Sequence, residues 1–263
     1  AGIDFFVMSW WGPGDFTDTT LRYFYLRHPH ATDVPIALFY EVKSRFKDQR
    51  IDFSDATNRA LLVNDFKYMA RNYFEHPAYL KFNGKPVVFI YLTRIFVGDY
   101  ARAIEEVRGA VSELGYEIYL VADEPYHGSP TVDRATLFDA VSPYNMHSGN
   151  MPEDDWDELL ARTKRAYERW EAALSHRTKP IFFPNAMPGF NDWGVRAQVE
   201  HPRFYPSPDR FRSSLELALK YVDPRLPVLM ITSFNEWHED TQIEPSEKYG
   251  EDYLETLQDL LRK

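Results

Sequence analysis

Seven short, β-rich apolar runs alternating with longer helical patterns constrain the fold of this 263-residue chain more than any other feature. The runs are Ile3–Ser9, Pro35–Tyr40, Pro86–Tyr91, Ile118–Ala122, Ala140–Tyr144, Pro180–Pro184 and Val228–Phe234. Helical periodicity fills Ser54–Tyr73, Asp99–Leu114, Asp154–Leu174, Ser207–Tyr221 and Tyr249–Arg262. Ser54-Asp55 and Ser207-Pro208-Asp209 are good helix starts. Strands alternating with helices imply crossover units and a parallel sheet. No Gly-rich phosphate loop opens a helix, which argues against a nucleotide-binding doubly wound sheet. With no repeat, low-complexity tract or linker, residues 1–263 read as one domain, within the size range of a single α/β barrel. Seven strands are one short of a closed barrel. The opening Ala1-Gly2-Ile3-Asp4 reads as a helix end, a glycine stop and the next strand. The expectation is therefore a (β/α)8 TIM-type barrel whose first strand–helix unit is absent from this chain.

Composition narrows the partners. Thirty Lys and Arg against 40 Asp and Glu give a formal charge of −10, the wrong sign for gripping phosphate backbones, so no nucleic-acid partner is expected. No run of about 18 apolar residues is available to span a membrane. Without cysteine there is no disulfide, thiolate metal site or cysteine nucleophile, and the compartment stays open. The first residues have neither a basic n-region nor an apolar h-region, so no signal peptide is read at this end, and the absence of an initiating Met is consistent with trimming. Aromatic residues make up 16% of the chain. They serve either a ring-rich core or a carbohydrate cleft, because sugar C–H faces stack on rings while their hydroxyls seek polar partners.

Each apolar run exits into reactive or sugar-binding residue types. The first gives Ser9-Trp10-Trp11-Gly12, the second Tyr40-Glu41 and the third Tyr91-Leu92-Thr93-Arg94. The next two give Asp123-Glu124-Pro125-Tyr126-His127 and Tyr144-Asn145-Met146-His147. Asn185 and Pro188-Gly189-Phe190-Asn191-Asp192-Trp193 follow the sixth, and Asn235-Glu236-Trp237-His238-Glu239 the seventh. Taken singly, Arg94 or Asp123 fits a solvated loop. Taken together, the exits fit the lined C-terminal mouth of a barrel, where catalysis takes place. Glu236 and Glu239, in an extended strand, would lie on opposite faces, about 10 Å apart along the chain. They converge on one ligand only if the strand ends and the backbone turns; otherwise Glu239 faces solvent or caps the next segment. His238 either acts directly or orients a neighbour. No His-x-x-x-His or similar spacing suggests a metal.

The stretch Ile231-Thr-Ser-Phe-Asn-Glu-Trp-His-Glu-Asp-Thr-Gln-Ile-Glu244 closely resembles the signature of glycoside hydrolase family 99, the endo-α-1,2-mannosidases and mannanases, and that of related proteins encoded with surface-polysaccharide genes. Ser9-Trp10-Trp11, His76-Pro77-Ala78-Tyr79, Gly84-Lys85-Pro86-Val87 and Pro188-Gly189-Phe190 with Asp192 and Arg196 match in the same order. The resemblance implies a (β/α)8 barrel, no metal or other cofactor, and an oligosaccharide or polysaccharide substrate. It also implies a retaining mechanism in which Glu236 takes the proton of the sugar 2-hydroxyl and Glu239 protonates the leaving oxygen. Trp10, Trp11, Glu41, Tyr144, Arg196, Asn235 and His238 are the expected substrate-binding residues. Three positions depart from the family pattern: Asp240 stands where the family has Gly, and Val42-Lys43 follow Glu41 in place of Pro-Tyr.

Two readings compete with an endo-acting α-mannoside hydrolase. One is a non-catalytic glycan-binding barrel, for which a retained glutamate pair is unnecessary. The other is an enzyme that builds polysaccharide, which would call for a nucleotide-sugar site, often with a metal-binding acidic motif; no such motif is clear.

Overall fold

The first four apolar runs pair as neighbours in one parallel sheet. The structure, a computed structural model, describes residues 2–196 and 201–261. By its internal contacts the chain forms two compact units. One, here the N-terminal unit, comprises Ile3–Glu124 and Asp133–Ala140. The other, the C-terminal unit, comprises Ala1–Gly2, Pro125–Val132 and Val141–Lys263.

In the N-terminal unit the strands β1 (Phe6–Trp10), β2 (Ile36–Tyr40), β3 (Lys85–Ile90) and β4 (Tyr119–Ala122) lie side by side in sequence order. All are parallel, with Phe6 opposite Ile36, Leu38 opposite Val88 and Val88 opposite Leu120. β3 is buried from Pro86 to Ile90 and β4 throughout, as expected of strands covered on both faces. β1 starts three residues later than the sequence suggests, because pairing begins where the Phe6 N–H reaches the Pro35 carbonyl. The expected helices form at Ala56–Asn72 and Tyr100–Ser112. Asp55 caps the first by accepting from the Thr57 N–H at 2.7 Å, a contact worth about 1 kcal/mol.

An unexpected element follows β1: a short helix, Phe16–Thr20, that widens into a π-helical turn at Leu21–Tyr25. Its anchor is Asp18, which is buried. The carboxylate accepts from Trp10 Nε1 at 3.0 Å, Gly14 N–H at 2.9 Å and Tyr68 Oη at 2.6 Å, and also from Tyr73 Oη. Arg22 lies 3.8 Å away. Burial alone would raise the Asp18 carboxyl, but the hydrogen bonds from Tyr68, Tyr73, Trp10 and Gly14 outweigh it and hold the group below the usual range. Two other strand-end acids are likewise structural. Asp123 takes Arg94 at 2.6 Å and the Leu92 N–H at 3.0 Å, and Glu124 takes Arg134 through both oxygens at 2.6 and 2.9 Å.

In the C-terminal unit the sixth run is strand only at Ile181–Phe182, and its expected exit, Asn185, opens a further short strand. Ile181–Phe182 and Asn185–Ala186 are separate strands, with Pro184, which has no N–H to donate, between them. Asn185–Ala186 pairs in parallel with Met230–Ile231, all of the seventh run that remains strand. The Met230 N–H reaches the Pro184 carbonyl and the Thr232 N–H the Ala186 carbonyl. Helices Trp156–Leu174, Pro208–Ala218 and Asp252–Leu261 form close to expectation; Arg262 lies outside the described residues. Asp155 and Ser207 cap the first two through the N–H groups of Glu158 and Arg210, and Pro208 occupies the first helical turn.

The Asp18 anchor has a defined pH dependence. Because the folded carboxyl titrates below its unfolded value, its contribution is complete above about pH 4 and is lost as pH falls through the lower folded value. Asp18→Asn should cost about 2–3 kcal/mol at pH 7, the scale of hydrogen bonds to a buried charge. In urea unfolding, the gap between variant and parent should narrow below pH 4. An equal gap at both pH values would show that the charge is not what Asp18 contributes.

Candidate active site

The seventh apolar run stops at Ile231, and the loop beyond it is held by a polar clasp. The Ser233 N–H donates to the Thr241 carbonyl at 2.7 Å, and the two side-chain hydroxyls meet at 2.9 Å. Ser233 Oγ also accepts the Glu236 N–H at 2.9 Å, and the Glu244 N–H returns to the Phe234 carbonyl at 2.9 Å. Within this loop Trp237–Glu239 form a 3-10 turn with Glu236 as its N-cap. Three residues per turn brings positions i and i+3 to the same side. Glu236 and Glu239 are such a pair, so the turn required for their convergence is present. Asp240, at φ 51° and ψ 31°, ends the turn in the left-handed region. A Gly, as the resembled pattern carries there, would suit this conformation, and Asp is among the few other residues that enter the region readily. The Asn191 amide donates to the Asp240 carboxylate at 2.9 Å, and the Asn191 N–H donates to the Glu239 carbonyl at 2.7 Å.

Behind the loop, the strand ends are tied together. Thr232 Oγ1 accepts from Asn185 Nδ2 at 3.0 Å and donates to the Tyr144 carbonyl at 2.5 Å. Gly189 admits no side chain: a Cβ there would lie 2.5 Å from the Phe204 carbonyl oxygen and 2.6 Å from Pro206 Cα. Phe190 and Phe204 exchange both backbone hydrogen bonds at 2.7 Å, which sets the Asn191–Arg196 segment beside the glutamate loop.

Glu239 is the more constrained carboxylate, with 13% of its side chain exposed and Oε1 2.6 Å from Arg196 Nη1. Burial pushes its carboxyl up, the Arg196 guanidinium opposes that, and the negative charges of Glu236 and Asp192 add to the rise. Burial prevails, so a group beside an arginine still favours its proton more than an ordinary glutamate does. The same Arg196 nitrogen lies 3.1 Å from Asp192 Oδ2, and that oxygen is 2.8 Å from His201 Nδ1. Asp192 is fully buried. His147 stacks on Phe190 with ring centroids 3.6 Å apart, and burial pushes its imidazole down to about 3. It is neutral at any working pH.

Of the residues expected at the site, Glu236, Glu239, Arg196, Asn235 and His238 lie on or beside this loop; Asn235 and His238 are exposed. Tyr144 is partly buried, its carbonyl bonded to Thr232. Trp10, Trp11 and Glu41 belong to the N-terminal unit. Glu41 is partly buried and accepts from Ser9 Oγ at 2.9 Å. Trp11 is 52% exposed and borders a hollow of about 560 Å³ shared with Pro13, Asp15, Ser44 and Arg45. Trp10 corrects the sequence expectation. It is 0% exposed, bonded to Asp18 and 5.9 Å from the Tyr40 ring, so it is a core residue with no surface to offer a sugar. Asp192 stands among the expected mouth residues and in the family match but carries no expected role, and its spacing of four from Arg196 is the local signal for that pair. His201 is not among the expected residues, and nothing local marks it. Among the described residues, no group of three or more His, Cys, Asp or Glu is placed to hold a metal ion, and no helix is long and apolar enough to cross a membrane.

Known proteins resemble this chain over much of its length. Residues 46–257 match the family described as "Glycosyltransferase WbsX". A glycoprotein endo-alpha-1,2-mannosidase-like protein of Danio rerio is 26% identical over 69% of the chain, covering 40% of that protein. The glycoprotein endo-alpha-1,2-mannosidase of Mus musculus is 24% identical over 93% of the chain, covering 51% of its own length. The chain thus spans about half or less of the length of these relatives. Among solved structures, a glycoside hydrolase-like protein superposes with a TM-score of 0.78 at 21% identity, covering 98% of this chain and 81% of the other. The glycoside hydrolase family 99 endo-alpha-mannosidase of Bacteroides thetaiotaomicron gives 0.68 at 19% identity, covering 99% and 80%. These likenesses show the fold to be the (β/α)8 type expected from the alternating runs. With most of its length inside the match, the chain belongs to the family described as glycosyltransferase WbsX and is related to the endo-α-mannosidases of glycoside hydrolase family 99.

Proposed function

We propose that the chain is a retaining, endo-acting glycoside hydrolase that cleaves α-mannoside-type linkages with participation of the substrate's own 2-hydroxyl. The observation that carries this reading is the glutamate pair across one 3-10 turn, with its second member largely buried and inclined to keep its proton. General acid–base work needs one carboxyl protonated and one ionised, which requires environments that separate the two. Glu239 supplies the acid and Glu236 the base.

In the first half, Glu236 takes the proton of the 2-hydroxyl. The freed oxygen attacks the anomeric carbon as the bond to the leaving sugar breaks. Glu239 gives its proton to the departing oxygen, leaving a 1,2-anhydro sugar. In the second half, Glu239, now ionised, takes a proton from water. The water oxygen attacks the anomeric carbon, and the 2-oxygen recovers its proton from Glu236. Two inversions give net retention, and no enzyme ester forms. Exposed Trp11, together with Glu41, Tyr144, Arg196, Asn235 and His238, is proposed to bind sugar rings and hydroxyls.

The family description favours a second reading, assembly of a polysaccharide from an activated sugar. The two separate on the co-substrate. A hydrolase turns over an α-mannan oligosaccharide in water alone. A transferase consumes a nucleotide sugar and leaves the oligosaccharide intact without one.

Glu236→Gln and Glu239→Gln should each cut turnover by about 10²–10⁴ while leaving glycan binding and folding intact. With an activated aryl leaving group, Glu239→Gln should lose less in the bond-breaking step, because little protonation is needed; Glu236→Gln should lose as much as before. A 2-deoxy substrate should not react. Rapid cleavage of it, or a glycosyl ester trapped on either glutamate, would sink the mechanism.

The raised Glu239 carboxyl also sets the pH profile. Its acid form is present below its folded pKa, so kcat/KM should fall on the alkaline side, at a pH above the ordinary glutamate range. Glu239→Gln should abolish that limb for the aryl substrate. A limb that survives in the variant belongs to another group.

A further inference from the structure

The Arg196 guanidinium serves two carboxylates through one nitrogen: Nη1 lies 2.6 Å from Glu239 Oε1 and 3.1 Å from Asp192 Oδ2. Asp192 in turn meets His201 Nδ1 at 2.8 Å. We propose that Asp192 is a positioning residue for Glu239, fixing where the Arg196 cation sits and how much of its charge Glu239 receives. The proposal rests on the reading of Glu239 as the proton donor.

Three observations carry it. Arg196 is not held by burial, since 49% of its side chain is exposed and its long stem is otherwise free to swing into water. Asp192 is the opposite, a fully buried carboxylate. Its own carbonyl accepts the Arg196 N–H at 2.7 Å and the Val195 N–H at 3.0 Å, so the residue that grips the guanidinium also starts the turn that carries it. The third observation is chemical. A lone arginine 2.6 Å from a carboxylate favours the ionised form strongly, which is wrong for a proton donor. A second, permanently charged carboxylate on the same nitrogen takes up part of that attraction. Burial and hydrogen bonds from His201 and Arg196 act on Asp192 in opposite directions, and the bonds prevail, holding it ionised. The groups acting on Glu239 are Arg196, Glu236 and Asp192. His147, which also feels Asp192, His201 and Arg196, is neutral and does not titrate with them.

The test follows the Glu239 carboxyl itself. In protein carrying ¹³C-labelled glutamate, its Cδ resonance, assigned by its loss in Glu239→Gln, is titrated against pH. In Asp192→Asn, which preserves shape and an acceptor, the whole Arg196 charge falls to Glu239, and the midpoint should drop by about one pH unit. In Arg196→Met it should rise. In His201→Ala, which leaves Asp192 more dependent on Arg196, it should rise by less. A midpoint that stays put or rises in Asp192→Asn overturns the proposal. Should that variant not fold, an unchanged or lowered midpoint in His201→Ala does so. Because this titration needs no turnover, it separates the two ideas. Absence of hydrolysis of an α-mannan oligosaccharide by the parent chain defeats the glycosidase reading alone. Where the parent is active, the alkaline limb of kcat/KM should move with each midpoint; a limb that ignores them overturns the positioning role.

Discussion

The clasp between Ser233 and Thr241 is the contact on which the glutamate loop depends. A parallel strand delivers successive side chains to opposite faces, so two carboxylates three positions apart would diverge if the strand continued. By spending both its N–H and its hydroxyl on this clasp and on the Glu236 N–H, Ser233 closes the backbone within a few residues of Ile231. The 3-10 turn then has a fixed base, with Glu236 at its cap and Glu239 at its last position. Neither Ser233 nor Thr241 need meet a substrate to matter. Their chemistry is local: they satisfy the polar groups of a tight loop that would otherwise stay open.

Charge compensation is the second theme. The described structure buries carboxylates repeatedly, and each time the surroundings decide its proton. Asp18 is surrounded by hydroxyl, indole and amide donors and stays ionised. Glu124, with Arg134 on both oxygens, is nonetheless pushed up because burial outweighs the arginine. Glu239 follows Glu124 rather than Asp18. An arginine contact is thus no measure of ionisation by itself. The number of donors and the depth of burial settle it together.

Much of this was legible in the sequence. The alternation of β-rich and helical runs gave the fold type, the caps at Asp55 and Ser207 gave helix starts, and the abrupt polar exit after Phe234 located the glutamates. Less legible was anything built from distant pairings. The Asn185–Ala186 strand went unread because it begins on a polar residue just past Pro184 and is made by pairing with the distant Met230–Ile231. The Phe16–Thr20 helix went unread because its anchor, Asp18, is satisfied by tyrosines some fifty residues away. Trp10 and Trp11 are indistinguishable as letters. Only the structure separates an indole bonded to a buried acid from one facing solvent. The role of His201 depends on its reaching Asp192 across a segment that sequence spacing does not describe.

The Asp18 anchor also bears on how this chain tolerates change. Its partners, Trp10, Gly14, Arg22, Tyr68 and Tyr73, come from a strand end, a loop, a π-helical turn and a long helix with its C-cap. A transplanted segment 10–22 brings the acid without the two phenols that quench it. A length change there shifts the acid away from phenols that remain. The Trp-Trp-Gly-Pro-Gly stretch therefore cannot be exchanged as a module, even though Trp11 and Pro13 border an open hollow. Variation in that hollow is confined to replacing side chains in place, while the path of the backbone is fixed by a carboxylate that does not line the hollow.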